Sequence, residues 1–151
     1  MTTSTTCSYI SCRVGDLSVG IDLARVQEIN RLVEATFVPR LDPEVKGLIN
    51  LRGNLVTVLD LKRIVQQSDV TPSRDTRNVI VEHQQERFGL LVDAVGDVAV
   101  CDTGELEPLP SHLDGEQARW FTGLVQLEGQ ILLVLDVDAA VRTHTSAASS
   151  A

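Results

Sequence analysis

A chain of 151 residues with 43% hydrophobic and 23% charged side chains can bury one ordinary core or two small lobes, which excludes both a several-domain enzyme and a chain that stays disordered. Thirteen Lys and Arg against 21 Asp and Glu leave a net charge of -8, which opposes nucleic acid or an anionic membrane surface as a partner. The longest apolar run, Ile131 to Leu135, ends at Asp136, far short of the ~20 residues that cross a bilayer, so no direct membrane insertion is expected.

Met1 to Thr6 has neither a basic segment nor an apolar one, so no signal peptide is expected and a cytoplasmic location follows. Residues 1–6 read as a flexible tail. Cys7 to Val14 and Leu17 to Leu23 flank Gly15-Asp16, a hairpin dipeptide, and Val33 to Val38 reads as a further strand. Arg52-Gly53-Asn54 interrupts a Val/Ile/Leu-rich run as a second hairpin turn, Gly supplying the positive φ. Asp60 then stands as the N-cap of a short helix from Leu61 to Val65. Gln66 to Arg77, rich in Ser, Asp, Thr and Pro, is the expected connection between lobes. Asn78 to His83 and Arg87 to Val92 flank Gln84-Gln85-Glu86, read as a looser turn, and Val95 to Cys101 is one more strand. A loop over Pro108 to Asp114 follows. Glu128-Gly129-Gln130 repeats the hairpin signal, with Asp136 capping a helix from Val137 to Val141. The Ser/Ala/Thr-rich stretch Arg142 to Ala151 is expected to be a second flexible tail, and with Met1 in place the chain reads as a whole protein rather than a fragment.

The strongest signal is an internal repeat. Gly20 to Ile29 lies over Gly89 to Val98, both with Gly, spaced aliphatics, Val, an acid and a β-branched residue at matching places. Gly47 to Leu61 lies over Gly123 to Val137 more closely, and the blocks come in the same order in each half. Short, regularly spaced strands with tight turns argue for closed or partly closed barrels of about five strands each. The expected fold is therefore all-β in the main, with two small barrels sharing a hydrophobic core and a few short helices. It forms a single domain over residues 8–141, with lobes near 15–65 and 78–135 and termini that cross between them.

Catalytic signatures are absent. No G-x-S-x-G, HExxH or phosphate-binding loop occurs, and His83, His112 and His144 stand at a strand end, in a loop and in the tail. A non-enzymatic role without cofactor or metal is expected. Cys7, Cys12 and Cys101 make an odd number with no C-x-x-C pair, so reduced thiols are expected. Asp93 and Asp97 fit a strand end better than a cation site. Trp120 and Phe121 are open to two readings, core filling or an exposed contact. Within the second repeat block one position reverses charge, Arg52 in the first copy and Glu128 in the second. Either both are solvated turn residues, or Arg52 makes an ion pair that positions a neighbouring loop or partner.

Gly20-Ile21-Asp22-Leu23, Val26-Gln27-Glu28-Ile29, Lys46 to Gly53 and Val58-Leu59-Asp60-Leu61, continued by Phe88 to Val95 and Gly123 to Asp136, resemble the CheW-like domain from about Tyr9 to Val141. The resemblance implies two SH3-like barrels. It also implies an adaptor that couples chemoreceptor cytoplasmic tips to the regulatory domain of the histidine kinase CheA, recruited to membrane-associated arrays and compatible with weak self-association there. Val26 and Glu28 carry over as receptor- or kinase-coupling positions, Arg52 as a kinase-control position, and Leu55 and Val98 as contact or interface-shaping positions. Departures include Thr57 where many relatives have Pro and Val19 where they have an aromatic residue. In the loop from Glu107 to His112, which in relatives helps form a second kinase contact, Glu107 and His112 replace the basic and aromatic residues expected. An adaptor of a pilus or other non-flagellar pathway is the alternative, and a small ligand-binding barrel is the rival from another class.

Overall fold

The computed structural model describes residues 6–31, 44–66, 68, 73–111 and 115–142. Strands dominate the described residues: β1 (Thr6–Val14), β2 (Leu17–Asp22), β3 (Val26–Arg31), β4 (Val45–Leu51), β5 (Asn54–Asp60), β6 (Arg77–His83), β7 (Glu86–Val92), β8 (Ala94–Asp102), β9 (Phe121–Leu127) and β10 (Gln130–Leu135). Short helices follow β5 and precede β9, namely α1 (Leu61–Gln66) and α2 (Gly115–Ala118), and a third, α3, covers residues 137–142. They form two five-stranded sheets, ordered β8-β1-β2-β10-β9 and β3-β6-β7-β5-β4.

These sheets are not the two halves of the chain. The repeat equates β1 to β5 with β6 to β10 in turn, and under that equivalence the two strand orders are identical with the halves exchanged. Each sheet takes a hairpin from one half and three strands from the other. The strand pairing crosses between the stretches 15–65 and 78–135: β2 pairs in parallel with β10, and β5 with β7, each across the repeat boundary. Parallel partners need a long connection, so neighbours in sequence cannot supply them.

The exchange explains why several strands read as unbroken apolar runs. Successive side chains of a strand point to opposite faces, and here both faces are covered. On β6, Val79 and Val81 enter the core shared by both sheets while Ile80 enters the interior of its own barrel. Phe88, Leu90 and Val92 of β7 face the shared core, and Leu91 faces inward. The other sheet contributes Val14, Val19, Ile21 and Leu135 to that shared core, and encloses a small interior of Tyr9, Cys101, Val125, Leu132 and Val134. Each fully buried Leu or Phe contributes roughly 1.5–3 kcal/mol. Phe121 is buried and Trp120 packs against the shared core with the Arg119 guanidinium 4.4 Å from its ring centre, which decides for core filling.

Both aspartate caps form as expected. The Arg63 amide donates to Asp60 Oδ1 at 3.1 Å, and the Ala139 amide donates to Asp136 Oδ1 at 3.1 Å. The segment from Gln84 is a tight two-residue turn rather than a looser one, with φ of 51° and 68° at Gln84 and Gln85. Such a turn asks for positive φ at both central residues, normally an Asn-Gly signal, and its absence hid the turn. Val26–Arg31 pairs with β6 as a strand the turn signals did not mark, and α2 was likewise unmarked. The expected strand from Val33 to Val38, both tails beyond Thr6 and Arg142, and His112 lie outside the described residues.

Candidate functional site

The site grows from a bulge. Register along β3 and β6 shifts between Val26, which faces Val81, and Glu28, which faces Ile80. Directly opposed residues share a sheet face, so the extra residue Gln27 sends Val26 and Glu28 to opposite faces. Val26 is half-buried against the shared core. Glu28 stands on the face of Ile80, toward the interior of its own barrel.

There it meets Arg52. The β4–β5 turn places Arg52 and Gly53 at φ of 52° and 86°, a left-handed pair, with the Gly53 amide donating to Asn50 Oδ1 at 2.9 Å. A left-handed conformation is uncommon for a residue other than Gly, Asn or Asp. The Arg52 guanidinium donates to Glu28 Oε1 as an ion pair, and the Asn30 amide donates to Glu28 Oε2 at 3.3 Å. Arg52, and next to it Asn30, hold the Glu28 carboxyl below its ordinary range. Since β3 and β4 are the two ends of this sheet's strand order, the pair closes the barrel at its rim.

Leu55 follows on β5 and is 68% exposed, an aliphatic side chain that no core uses. Asn54, Leu55, Thr57, Glu82, Glu86 and Arg87 line a depression of about 440 Å³ between the β4–β5 and β6–β7 hairpins. Gln27 Nε2 donates to Glu82 Oε2 at 2.7 Å along its edge. Val98 lies elsewhere, on β8 of the other sheet, 48% exposed and paired with Ile10, with Val100 exposed beside it. Arg52, Glu28 and Leu55 are thus gathered on one barrel, Val26 underlies them, and Val98 belongs to a separate surface.

A cluster that sequence reasoning missed ties α3 to this barrel. Asp138 of α3 accepts from Arg25 Nη2 at 2.7 Å and contacts His83 Nδ1 at 2.7 Å, while Arg25 also donates to the Glu82 carbonyl at 3.0 Å. Arg25 foremost lowers the Asp138 carboxyl to about 2. The one signal was Asp138 in the first turn of a helix, where acids are common for other reasons. The loop residue Glu107 is bridged to Leu124 by backbone bonds of 2.8 and 2.9 Å and accepts from Gln126 Nε2 at 2.9 Å. Among the described residues no three metal-ligating side chains converge.

Family comparison places this arrangement. Residues 8–144 match the model of the CheW-like domain. The chain belongs to the CheW-like family. Among similar relatives is the chemotaxis protein CheW of Klebsiella aerogenes, 28% identical over 139 residues, covering 92% of this chain and 84% of that one. The chemotaxis protein CheW of Rhizobium meliloti is 29% identical over 132 residues, covering 86% of this chain and 84% of that one. The scaffolding protein TtCheW of Thermoanaerobacter tengcongensis superposes with a TM-score of 0.80 at 26% identity, covering 87% of this chain and 90% of that chain. The twin SH3-like barrels are those of the CheW-like family, and no helix among the described residues is long and apolar enough to cross a membrane.

Proposed function

We propose that this chain is a chemotaxis scaffold that couples chemoreceptor tips to the regulatory domain of the histidine kinase CheA, acting through its surfaces and not through a reactive group. The observation that carries this reading is the β4–β5 hairpin of the first barrel, which carries both the exposed Leu55 and the Arg52 of the Arg52–Glu28 pair. An aliphatic centre with a polar rim is the composition of a modest protein interface. Val98 and Val100 give the second barrel a separate aliphatic surface, so that two partners can be held together. Held in one assembly, a small receptor change biases the kinase by the scaffold's differential affinity for its on and off states. Recruitment to membrane-associated arrays follows from the receptor contact alone.

Co-precipitation with the kinase regulatory domain and a reconstituted receptor-dependent kinase assay test the reading. Arg52→Glu is expected to lose receptor-stimulated kinase activity while Glu128→Arg, at the equivalent turn, changes little. Failure of the unsubstituted protein to bind the kinase domain and to couple it to receptor overturns the coupling role. Unchanged binding and activation by Arg52→Glu removes Arg52 from it.

A further inference from the structure

Cys7 and Cys101 are direct partners across the β1–β8 pair, 94 residues apart in the chain, with their Sγ atoms 3.7 Å from each other and both thiols free. Spacing in the sequence gave no hint of this, because the register of two distant strands creates it. We propose that these two thiols form a redox site that closes to an intramolecular disulfide under hydrogen peroxide, pinning the edge strand β8 to β1.

Geometry favours closure. A disulfide needs its Cβ atoms about 3.5–4.5 Å apart and its sulfurs at about 2.05 Å, while opposed residues of an antiparallel pair begin with Cβ atoms about 4.5–5.5 Å apart. Side-chain rotation and a small approach of the strands suffice. Among the described residues β8 is bonded within its sheet to β1 alone, so it is free to make that approach.

The two thiols differ in access, and that difference assigns their roles. Cys7 is half-buried and reachable by a small oxidant, whereas Cys101 is only 5% exposed. Burial, and after it the hydrogen bond with Cys7, pushes the Cys101 thiol up to about 11, so it remains protonated until used. Cys12, on the same strand, points into the shared core, and burial pushes its thiol up to about 12. It cannot compete.

In the first step the Cys7 thiolate attacks one peroxide oxygen. The S–O bond forms, the O–O bond breaks, and hydroxide leaves to take a proton as water. In the second step Cys101 sulfur attacks the Cys7 sulfenic acid. The S–S bond forms, the S–O bond breaks, and the departing hydroxide takes the Cys101 proton as a second water. Two thiols are oxidised and one peroxide is reduced.

The test treats the purified full chain with hydrogen peroxide after removal of reductant, then counts thiols under denaturing conditions. The three cysteine thiols of the chain are expected to fall to one. Cleavage beside Tyr9 should separate Cys7 from Cys12 and recover Cys7 joined to Cys101. The bond should form in Cys12→Ala, fail in Cys7→Ser, and reverse with dithiothreitol. Melting of the oxidised form should rise by about 5–10 °C, the effect of a typical disulfide on a chain of this size. A count that stays at three, a Cys7 oxidised to sulfinic acid without a cross-link, or a cross-link that survives Cys7→Ser overturns the proposal. None of these readouts involves a kinase or receptor, so the outcome is independent of the coupling role.

Discussion

Arg52 reaches from the β4–β5 turn to Glu28 on β3, joining strands from opposite ends of one sheet's order. The equivalent positions in the other barrel are Glu128 and Asp97, two acids that cannot pair with each other. One barrel rim is therefore tied by a charge pair, and the other presents negative charge. The charge reversal visible in the repeat thus has a structural counterpart.

Replacing Arg52 by Gly separates its place in the turn from its proposed coupling role. The left-handed φ of 52° costs a residue with a side chain about 1 kcal/mol, which Gly avoids. Exposed ion pairs contribute little to stability. The melting temperature of Arg52→Gly should be unchanged or a few degrees higher, while receptor-stimulated kinase activity falls as for Arg52→Glu. Calorimetry beside the coupled kinase assay decides this, and a marked loss of stability contradicts it.

Leu55 and Phe88 offer a matched contrast. Phe88 is fully buried in the shared core, so Phe88→Ala should cost about 3–5 kcal/mol in denaturant unfolding. Leu55→Ala removes an exposed side chain and should stay within about 0.5 kcal/mol of the parent while weakening kinase-domain binding. Equal unfolding midpoints for the two variants would contradict the assignment of Leu55 to a surface.

Gly89 lies against Asn78. A Cβ at Gly89 would come within 2.3 Å of Asn78 Oδ1, and Asn78 is buried. Gly89→Ala should therefore destabilise by about 1–3 kcal/mol. Asn78→Ser in the same chain should recover part of that loss, a coupling that a double-mutant cycle in urea measures.

Acid sensitivity should carry the signature of Asp138. Its folded pKa, about 2, lies below the ordinary Asp value, so its contribution is full above about 4 and disappears as pH falls toward 2. Glu28, lowered by Arg52, acts with the same sign. Asp138 is partly exposed, so the effect is modest. Urea midpoints measured from pH 5 to pH 2 should fall less steeply in Asp138→Asn than in the parent, and parallel curves would remove the Arg25–Asp138–His83 cluster from acid stability.

What sequence disclosed and what it hid follow one physical line. Turns and caps are local, so Gly15, Gly53, Gly129, Asp60 and Asp136 were legible from residue type alone. The repeat made Arg52 and Glu128 comparable and singled out Arg52. Its partner was named only through family resemblance, because a bulge at Gln27 decides which face Glu28 occupies and no composition rule marks it. The Gln84-Gln85 turn was misjudged since context holds two ordinary residues at positive φ there. Pairings between distant strands, such as Cys7 with Cys101 or Arg25 with Asp138, depend on the exchanged topology and were out of reach.

The exchange of hairpins between halves also bears on how the molecule is born. Val19 waits for Leu133 as its parallel neighbour, so the amino-terminal hairpin emerges from the ribosome long before its sheet can be completed. Contacts so far apart in sequence slow folding and leave strand edges open meanwhile. A nascent chain of this design cannot set aside a finished first half. A backbone cut between α1 and β6 would yield two pieces that regain structure only by complementing each other.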